Sequence, residues 1–366
     1  MWFAPYYKYL YLLIVTICTL ACYVKYNTNA NSQHVDRGNS ALVLAVLMAL
    51  FIGIRPVHDV FADTVGYAAY YRYLSHEDFL FSINVENLVF DNVLAWMSSN
   101  GFSVSVFFTA CSFTYFIGRW WACKKMFPQN TLVAFLMFLG AFISYTSSVN
   151  GFKAGAAASL FCCAIACKDD FPKRLWRPAL FLALSFGIHH SMHVCIAGYI
   201  VCLFYKNTKV YLAFWLLALT CAVLHVSYFQ ILFAGLTDQK GASYLITNGD
   251  SGWITGMRYD FVIYSAMPVL LGWYIRFKKN LVIEGYDFVL NLYLLMNGMW
   301  MLCMYASFTN RIAALSWFMY PMVLCYPFLK GYKLQKISNN LSIAKVMLYQ
   351  LCFTLFMEII YYTILK

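Results

Sequence analysis

The stretch 51–71, FIGIRPVHDVFADTVGYAAYY, combines chemically active residue types with an abrupt change in polarity. An apolar run, 41–54, ends there, and the polar and aromatic residues that follow it are Arg55, Asp59, Asp63, Tyr67 and Tyr71. An arginine at the mouth of an apolar helix, facing carboxylates and aromatic rings, indicates a prepared polar site. An arginine that extends to lipid headgroups, with an ordinary loop behind it, explains the same pattern.

More ionisable residues stand at the predicted ends of apolar runs farther along the chain. They are Lys153, His189, His190, Arg258 and Arg311. Cations placed against the topology signal are costly in membranes and usually functional. The guanidinium group of arginine suits two-point contacts with phosphate oxygens. Four cations, Arg55, Lys153, Arg258 and Arg311, therefore predict a site for a doubly charged diphosphate.

Each of these residues also has a purely structural interpretation. Arg258 and Arg311 can pair with Asp59, Asp63 or Asp260 as ion pairs. His189 and His190 can be hydrogen-bonded packing residues between helices, and Lys153 can simply end a helix. Most tyrosines belong to interfacial belts. Tyr67 and Tyr71, close to Asp63, are the candidates for sugar stacking.

Composition determines which elements must position these residues. The chain is 62% hydrophobic and 11% charged, with a mean hydropathy of +0.65. Long apolar runs recur without the alternation of an outer-membrane barrel, which predicts an all-α polytopic membrane protein. The net charge of +11 lies in short basic clusters between the runs. That layout is typical of positive-inside topology signals, so no nucleic-acid partner is expected.

The thirteen cysteines lie mostly inside apolar runs, where they behave as small packing residues. No CxxC pair and no HExxH spacing occurs. The sequence therefore predicts no cofactor and no metal site.

The apolar runs predict a single integral membrane domain over residues 1–366, with about twelve transmembrane helices. Its two large loops, 55–102 and 233–258, are predicted to lie outside. Within the first loop, residues 84–98 repeat apolar positions at helical spacing but are too polar to span, which predicts an interfacial amphipathic helix.

Residues 178–204 predict two short helices that meet at His189, His190 and Ser191. Each half has about a dozen residues, fewer than the roughly 20 that a straight span needs. Short helices of this kind bring polar groups inside a membrane protein. One continuous helix that carries the histidines is the alternative.

Several of these motifs resemble the EpsG family of bacterial exopolysaccharide proteins, relatives of the Wzy polymerases. The most specific is Gly53-Ile54-Arg55 followed by Asp63-Thr64 and the tyrosines 67–71. Residues 150–158 resemble the family's Arg-x-x-x-Ala segment, and residues 187–191 resemble its Phe-x-His-x-Ser stretch. Arg311 corresponds to an arginine that opens a late span. Lys153 departs from the pattern, because relatives commonly have arginine there.

The resemblance implies a GT-C-like or Wzy-like helical core that acts at the outer face of the bacterial plasma membrane. It implies polymerisation of undecaprenyl-diphosphate-linked oligosaccharide repeat units into exopolysaccharide, capsule or O-antigen. The growing chain is then transferred to a sugar hydroxyl of the next unit. Fixed cations stabilise the leaving diphosphate, and the hydroxyl needs a base. The candidate bases are His189, His190, Asp59 and Asp63.

The implied partners are the lipid-linked oligosaccharide, membrane lipids, a flippase and a chain-length regulator. A transporter or flippase for the same lipid-linked sugar is one alternative, but it calls for internal repeats and a polar path to both faces. An O-antigen ligase-type transferase is another, since it shares the donor chemistry and differs in the acceptor.

Overall fold

The computed structural model describes residues 3–28, 38–170, 172–234, 256–330 and 343–361. Regular structure within these ranges is helical, without a strand, which agrees with the all-α prediction. The helices, numbered in chain order, are α1 (Tyr7–Thr28), α2 (Asn39–Gly53), α3 (Asp63–Leu74), α4 (Leu88–Ser99), α5 (Val104–Met126), α6 (Thr131–Leu139), α7 (Ser144–Val149), α8 (Phe152–Ala166), α9 (Trp176–Ile188), α10 (Met192–Phe204), α11 (Thr208–Val223), α12 (Tyr228–Ala234), α13 (Tyr259–Trp273), α14 (Tyr286–Leu302), α15 (Thr309–Trp317), α16 (Tyr320–Lys330) and α17 (Ile343–Ile359).

The chain divides into two compact units. The first comprises Met1–Val194 with Ala344–Leu351, and the second comprises Cys195–Ile343 with Cys352–Lys366. The predicted site residues are divided between them. Those up to His190 belong to the first unit, whereas Arg258 and Arg311 belong to the second.

Close helix packing forms the centre of the first unit, where α5 contacts α2 and α8, and α8 contacts α9. A Cβ at Gly53 would lie 2.6 Å from the Cα of Thr109 on α5, so α2 and α5 meet backbone to backbone. A Cβ at Gly155 would lie 2.1 Å from the carbonyl oxygen of Ser147. The small residues at the start of α8 therefore allow close helix approach, as the sequence predicts.

Two described segments, Ala4–Lys25 and Thr309–Lys330, are long and apolar enough to cross a bilayer. Shorter apolar helices, α2, α8, α9, α10 and α11, accompany them. This composition is consistent with a helical membrane protein. The number of about twelve crossings stays a prediction.

The apolar stretch 132–147 is not one continuous helix, because α6 ends at Leu139 and α7 begins only at Ser144. Hydroxyl groups satisfy the backbone at this break. Tyr11 donates to the carbonyl oxygen of Leu139 at 2.9 Å, and Tyr115 donates to that of Ser144 at 2.9 Å. Apolar residues continue across the break, so the hydropathy pattern does not reveal it.

The predicted break at the histidines is confirmed. Helix α9 ends at Ile188, α10 begins at Met192, and each has 13 residues. His189 between them is extended, with φ −146° and ψ 111°. The sequence identified this break because the polar residues interrupt an otherwise apolar run.

The predicted interfacial helix over residues 84–98 corresponds to α4, which begins four residues later, at Leu88. Phe90 and Leu94 are buried on one side of α4, while Val93 and Trp96 are 42% and 46% exposed. Exposed apolar side chains of this kind suit a membrane interface. The interfacial position itself remains a prediction.

Buried polar side chains link the helices of the second unit. The indole N–H of Trp215 on α11 donates to Asn297 Oδ1 on α14 at 2.8 Å, and Asn297 Nδ2 donates to Ser316 Oγ on α15 at 2.9 Å. These bonds satisfy groups that lipid cannot. Most of the predicted loop 233–258 lies outside the described residues, since residues 235–255 are not among them.

Candidate functional site

Arg55 occupies a turn that the local sequence enforces. Helix α2 ends just before it, and Pro56 disfavours helical conformation for the residue that precedes it. The chain then forms a 3-10 turn, Asp59–Phe61, and enters α3 through Ala62, whose φ is +43°. A positive φ at a residue other than glycine is strained, and such strain often occurs near functional sites.

The guanidinium of Arg55 is 2% exposed and joins three segments of the first unit. Nη1 donates to the carbonyl oxygen of Ile52 at 3.0 Å. Nη2 donates to that of Val149 at 3.0 Å and to Thr64 Oγ1 at 3.2 Å. Burial lowers the pKa of Arg55 to about 10, which still leaves it protonated at neutral pH. A charged side chain therefore connects the ends of α2 and α7 with the start of α3.

The sequence predicted that Arg55 faces the carboxylates of Asp59 and Asp63, but the structure does not place them on its guanidinium. Asp59 is exposed in the 3-10 turn, and Asp63 is half-buried in the first turn of α3. The hydrogen bonds of Arg55 go to backbone carbonyls and a hydroxyl, not to Asp59 or Asp63. Arg55 turns inward toward helix ends, so its hydrogen bonds lie inside the protein and not with the carboxylates that it was expected to face.

Aromatic rings from α3, α4, α5 and α8 form a cluster beside Arg55, here termed the aromatic platform. Its members are Tyr67, Phe90, Phe107, Phe108 and Phe152. The Cζ atom of Arg55 lies 4.8 Å from the ring centroid of Phe108. On another ring of the platform, Lys153 Nζ lies 5.4 Å from the centroid of Phe90. Two predicted site cations thus contact one aromatic cluster.

The two tyrosines proposed for sugar stacking differ in exposure. Tyr67 is half-buried and packs edge-on against Phe152, with ring centroids 4.8 Å apart. Tyr71 is 4% exposed, and its hydroxyl donates to the carbonyl oxygen of Phe102 at 3.0 Å. Tyr71 therefore packs inside the unit, whereas part of Tyr67 remains accessible.

The histidine break also adjoins the platform, because Ile188, the last residue of α9, packs against it. His189 and His190 are half-buried, and their ring centroids lie 5.7 Å apart. His190 Nδ1 lies 3.0 Å from Glu86 Oε1, in the segment before α4. The fold thus gathers residues from distant parts of the sequence around one cluster.

The two predicted cations of the second unit differ from each other. Arg258 is 4% exposed and forms a two-point ion pair with Asp260, with Nε–Oδ1 at 2.9 Å and Nη2–Oδ2 at 2.5 Å. Arg311 is exposed near the start of α15, with its Cζ 5.1 Å from the ring centroid of Phe308. Of the pairings considered from the sequence, the structure shows the one between Arg258 and Asp260.

Arg119 was not singled out from the sequence, although the structure places it among buried polar and aromatic groups. Helix α5 continues to Met126, and Arg119 is fully buried within it. Its Nε donates to Ser159 Oγ at 3.2 Å, and its Cζ lies 4.2 Å from the ring centroid of Tyr115. Nη1 and Nη2 have no hydrogen-bond partner among the described residues. The available signal was the spacing of Tyr115 and Arg119, one helical turn apart.

Within the described ranges, no group of three or more His, Cys, Asp or Glu side chains is arranged to hold a metal ion. The ionisable groups around the aromatic platform can act on a substrate through charge, hydrogen bonding and proton transfer.

Comparison with known proteins gives one family assignment. No curated protein and no solved structure matches the chain significantly. A sequence model of the EpsG family matches residues 40–365, nearly the whole chain. The match spans the turn at Arg55, the aromatic platform and the histidine break, and the chain therefore belongs to the EpsG family.

Proposed function

We propose that this protein polymerises undecaprenyl-diphosphate-linked oligosaccharide repeat units into a surface polysaccharide or exopolysaccharide. The reaction takes place at the outer face of the bacterial plasma membrane. One observation carries the proposal beyond family membership. Three segments that are distant in sequence bring Arg55 and Tyr67, Lys153, and the histidine break to the hydrophobic cluster that contains the aromatic platform. Cations, an aromatic surface and bases are the groups that this transfer needs.

The transfer makes one bond and breaks one. A sugar hydroxyl of the acceptor unit attacks the anomeric carbon of the donor glycan. The bond from that carbon to the diphosphate oxygen breaks, and undecaprenyl diphosphate leaves with the electron pair. The hydroxyl proton passes to a base, for which His189, His190, Asp59 and Asp63 are the candidates.

Lys153 is the cation that we assign to the leaving diphosphate. It is half-buried in the first turn of α8, and its ammonium lies over Phe90. An ammonium acts as a compact point charge with three donors, so it stabilises the developing charge without a two-point contact. Tyr67, on the same platform, is half-buried and offers the accessible part of its side chain to the glycan.

Arg55 contributes chiefly by holding the site together, because Nη1 and Nη2 both donate to helix-end carbonyls or Thr64, and only Nε lacks a partner among the described residues. Arg311 and Arg258 remain candidate diphosphate ligands in the second unit. Arg258 can take part only if it leaves its pair with Asp260. Arg311 is exposed near the start of α15.

The test is complementation of a deletion strain, with repeat units and polymer followed by size and by location. We expect the strain without this protein to assemble and export single repeat units but to lack long polymer. Units trapped on the cytoplasmic side would instead indicate a flippase. Long polymer that stays on undecaprenyl diphosphate would indicate a ligase. Long polymer of normal length would overturn the proposal.

Substitution of Lys153 tests the site itself. Lys153→Met keeps the length of the side chain but removes its charge, and we expect it to abolish long polymer. Lys153→Arg retains the charge and is expected to preserve most of the polymer. Lys209→Met, at an exposed lysine near the start of α11, is the matched control. Normal polymer from Lys153→Met would exclude this cation from the reaction.

A further inference from the structure

His190 contacts two residues of the segment that precedes α4. Its Nδ1 is 3.0 Å from Glu86 Oε1, and its backbone N–H donates to Asn87 Oδ1 at 3.0 Å. Neighbouring residues of one segment thus contact both the ring and the backbone of the same histidine. The side chain of Glu86 is 42% exposed and that of His190 is 26% exposed, so the pair is open on one side.

The segment that carries Glu86 is itself held in place. The amide of Asn92 on α4 accepts from the backbone N–H of Ser82 at 2.9 Å and donates to its carbonyl oxygen at 2.8 Å. Asp91 Oδ2 accepts from the backbone N–H of Asn87 at 2.9 Å. These bonds fold residues 82–87 back onto α4. Glu86 therefore approaches His190 from a fixed support rather than from a loose loop.

Close contact between α4 and α9 fixes the distance between Glu86, which precedes α4, and His190, which follows α9. A Cβ at Gly187 would lie 2.5 Å from Cγ2 of Val89, so glycine allows the end of α9 to touch α4. Ser185 Oγ donates to the carbonyl oxygen of Ala157 at 2.8 Å, which ties α9 to α8. The histidine break is thus anchored on two sides within the first unit.

The hydrogen bonds distinguish the two adjacent histidines. The Nδ1 atom of His189 accepts from the backbone N–H of Ser191 at 3.2 Å, so neutral His189 carries its proton on Nε2. In His190, Nδ1 faces a carboxylate, which favours the tautomer with the proton on Nδ1. Nε2 is then the basic nitrogen of His190. The Nδ1 contact is close but not well aligned, and a small rotation of the exposed carboxylate completes the hydrogen bond.

We propose that Glu86 is the positioning residue that makes His190, rather than His189, the base for the acceptor hydroxyl. This inference rests on the polymerase function proposed above. Glu86 holds the ring orientation and the tautomer of His190, and it stabilises the imidazolium that forms when Nε2 takes the hydroxyl proton. In this arrangement the hydroxyl loses its proton to His190, and Glu86 is the third group, which orients the base.

Other titratable groups on both sides of the break are bonded to residues next to this pair. Asp91 on α4 is bonded to the backbone of Asn87, and His189 is bonded to that of Ser191. His193 on α10 has its Nδ1 2.8 Å from the carbonyl oxygen of His190, and its ring stacks on that of His190 with centroids 6.3 Å apart. Glu86 is the carboxylate shown at the imidazole ring itself.

The experiment compares purified wild-type protein with Glu86→Gln, His190→Gln and the double variant, reconstituted with lipid-linked repeat units. Glu77→Gln, an exposed acid in the same predicted loop, is the matched control. We expect Glu86→Gln to lower the elongation rate about tenfold or more. The loss should fall on kcat rather than on KM, because Glu86 acts on the base and does not bind the substrate. The double variant should be no slower than His190→Gln alone, and the control should match wild type.

A second readout does not depend on catalysis. Diethyl pyrocarbonate modifies neutral imidazole, and peptide mass analysis reports the rate of modification at His190. In Glu86→Gln this rate should fall severalfold, because the carboxylate no longer holds the tautomer in which Nε2 is the reacting nitrogen, while the rate at His76 stays unchanged. Equal modification rates and equal elongation rates for wild type and Glu86→Gln would overturn the inference, as would additive losses in the double variant. Failure of the wild type to elongate, together with the lowered modification rate in Glu86→Gln, would overturn the polymerase function and keep the pairing.

Discussion

Each unit contains a buried arginine whose positive charge is stabilised by the groups around it, but those groups differ between the two units. Arg258 is neutralised by a two-point contact with Asp260. Arg55 keeps its charge, and its bonds go to backbone carbonyls, to Thr64 and to the ring faces of the aromatic platform. A paired arginine is locally neutral, whereas an arginine held by dipoles leaves a positive field around it. The first arrangement suits a structural element, and the second suits a site for an anion.

The largest effect is expected from removing one partner of the ion pair. Arg258→Met leaves the Asp260 carboxylate unpaired in a buried place, which should lower the free energy of unfolding by about 3 kcal/mol. Arg258→Met combined with Asp260→Leu should recover most of the loss, because neither charge remains. Equilibrium unfolding in mixed micelles measures both. Additive losses in the double variant would show that the pair does not stabilise the fold as a unit.

A smaller loss is expected at Arg55. Arg55→Met leaves the carbonyl groups of Ile52 and Val149 without this donor, but it also removes a charge that is costly to bury. We expect a loss of about 2 kcal/mol in the free energy of unfolding. Thr64→Val removes only the hydroxyl acceptor and should cost about 1 kcal/mol. Because Arg55 is not paired with a carboxylate, removing a carboxylate as well should not restore the stability that Arg55→Met loses. If Asp63→Asn did restore it, Arg55 would be part of an ion pair, as Arg258 is.

The smallest effect is expected at Arg119, the third buried arginine. Its Nη1 and Nη2 lack partners within the described ranges, so its bonds offset little of the cost of burial. Arg119→Met should change the free energy of unfolding by less than about 1 kcal/mol, or raise it. Equilibrium unfolding in mixed micelles measures this change as well. A loss as large as that of Arg258→Met would mean that a group outside these residues pairs with Arg119.

The histidine break shows how much a local pattern can reveal. The polar residues at 189–191 interrupt an apolar run too short on either side to span, and the structure has α9 and α10 separated there. The break between α6 and α7 has no such signal. Gly140 and its neighbours are apolar, and the carbonyl oxygen of Leu139 at the end of α6 accepts from Tyr11, far away in sequence. Local polarity predicts one break, whereas the other is visible only in the tertiary structure.

By itself, the sequence determined the helical class, the apolar composition of a membrane protein and the short motifs that carry the family resemblance. These properties depend on residue type and spacing along one chain. Only the tertiary structure decided which charges are paired, which tyrosine is buried and which carboxylate faces His190. Those outcomes depend on contacts between segments far apart in sequence, such as Arg55 with Val149 and Glu86 with His190. The energy of a buried polar group is set by the partners that the fold brings to it, and spacing along the chain does not specify them.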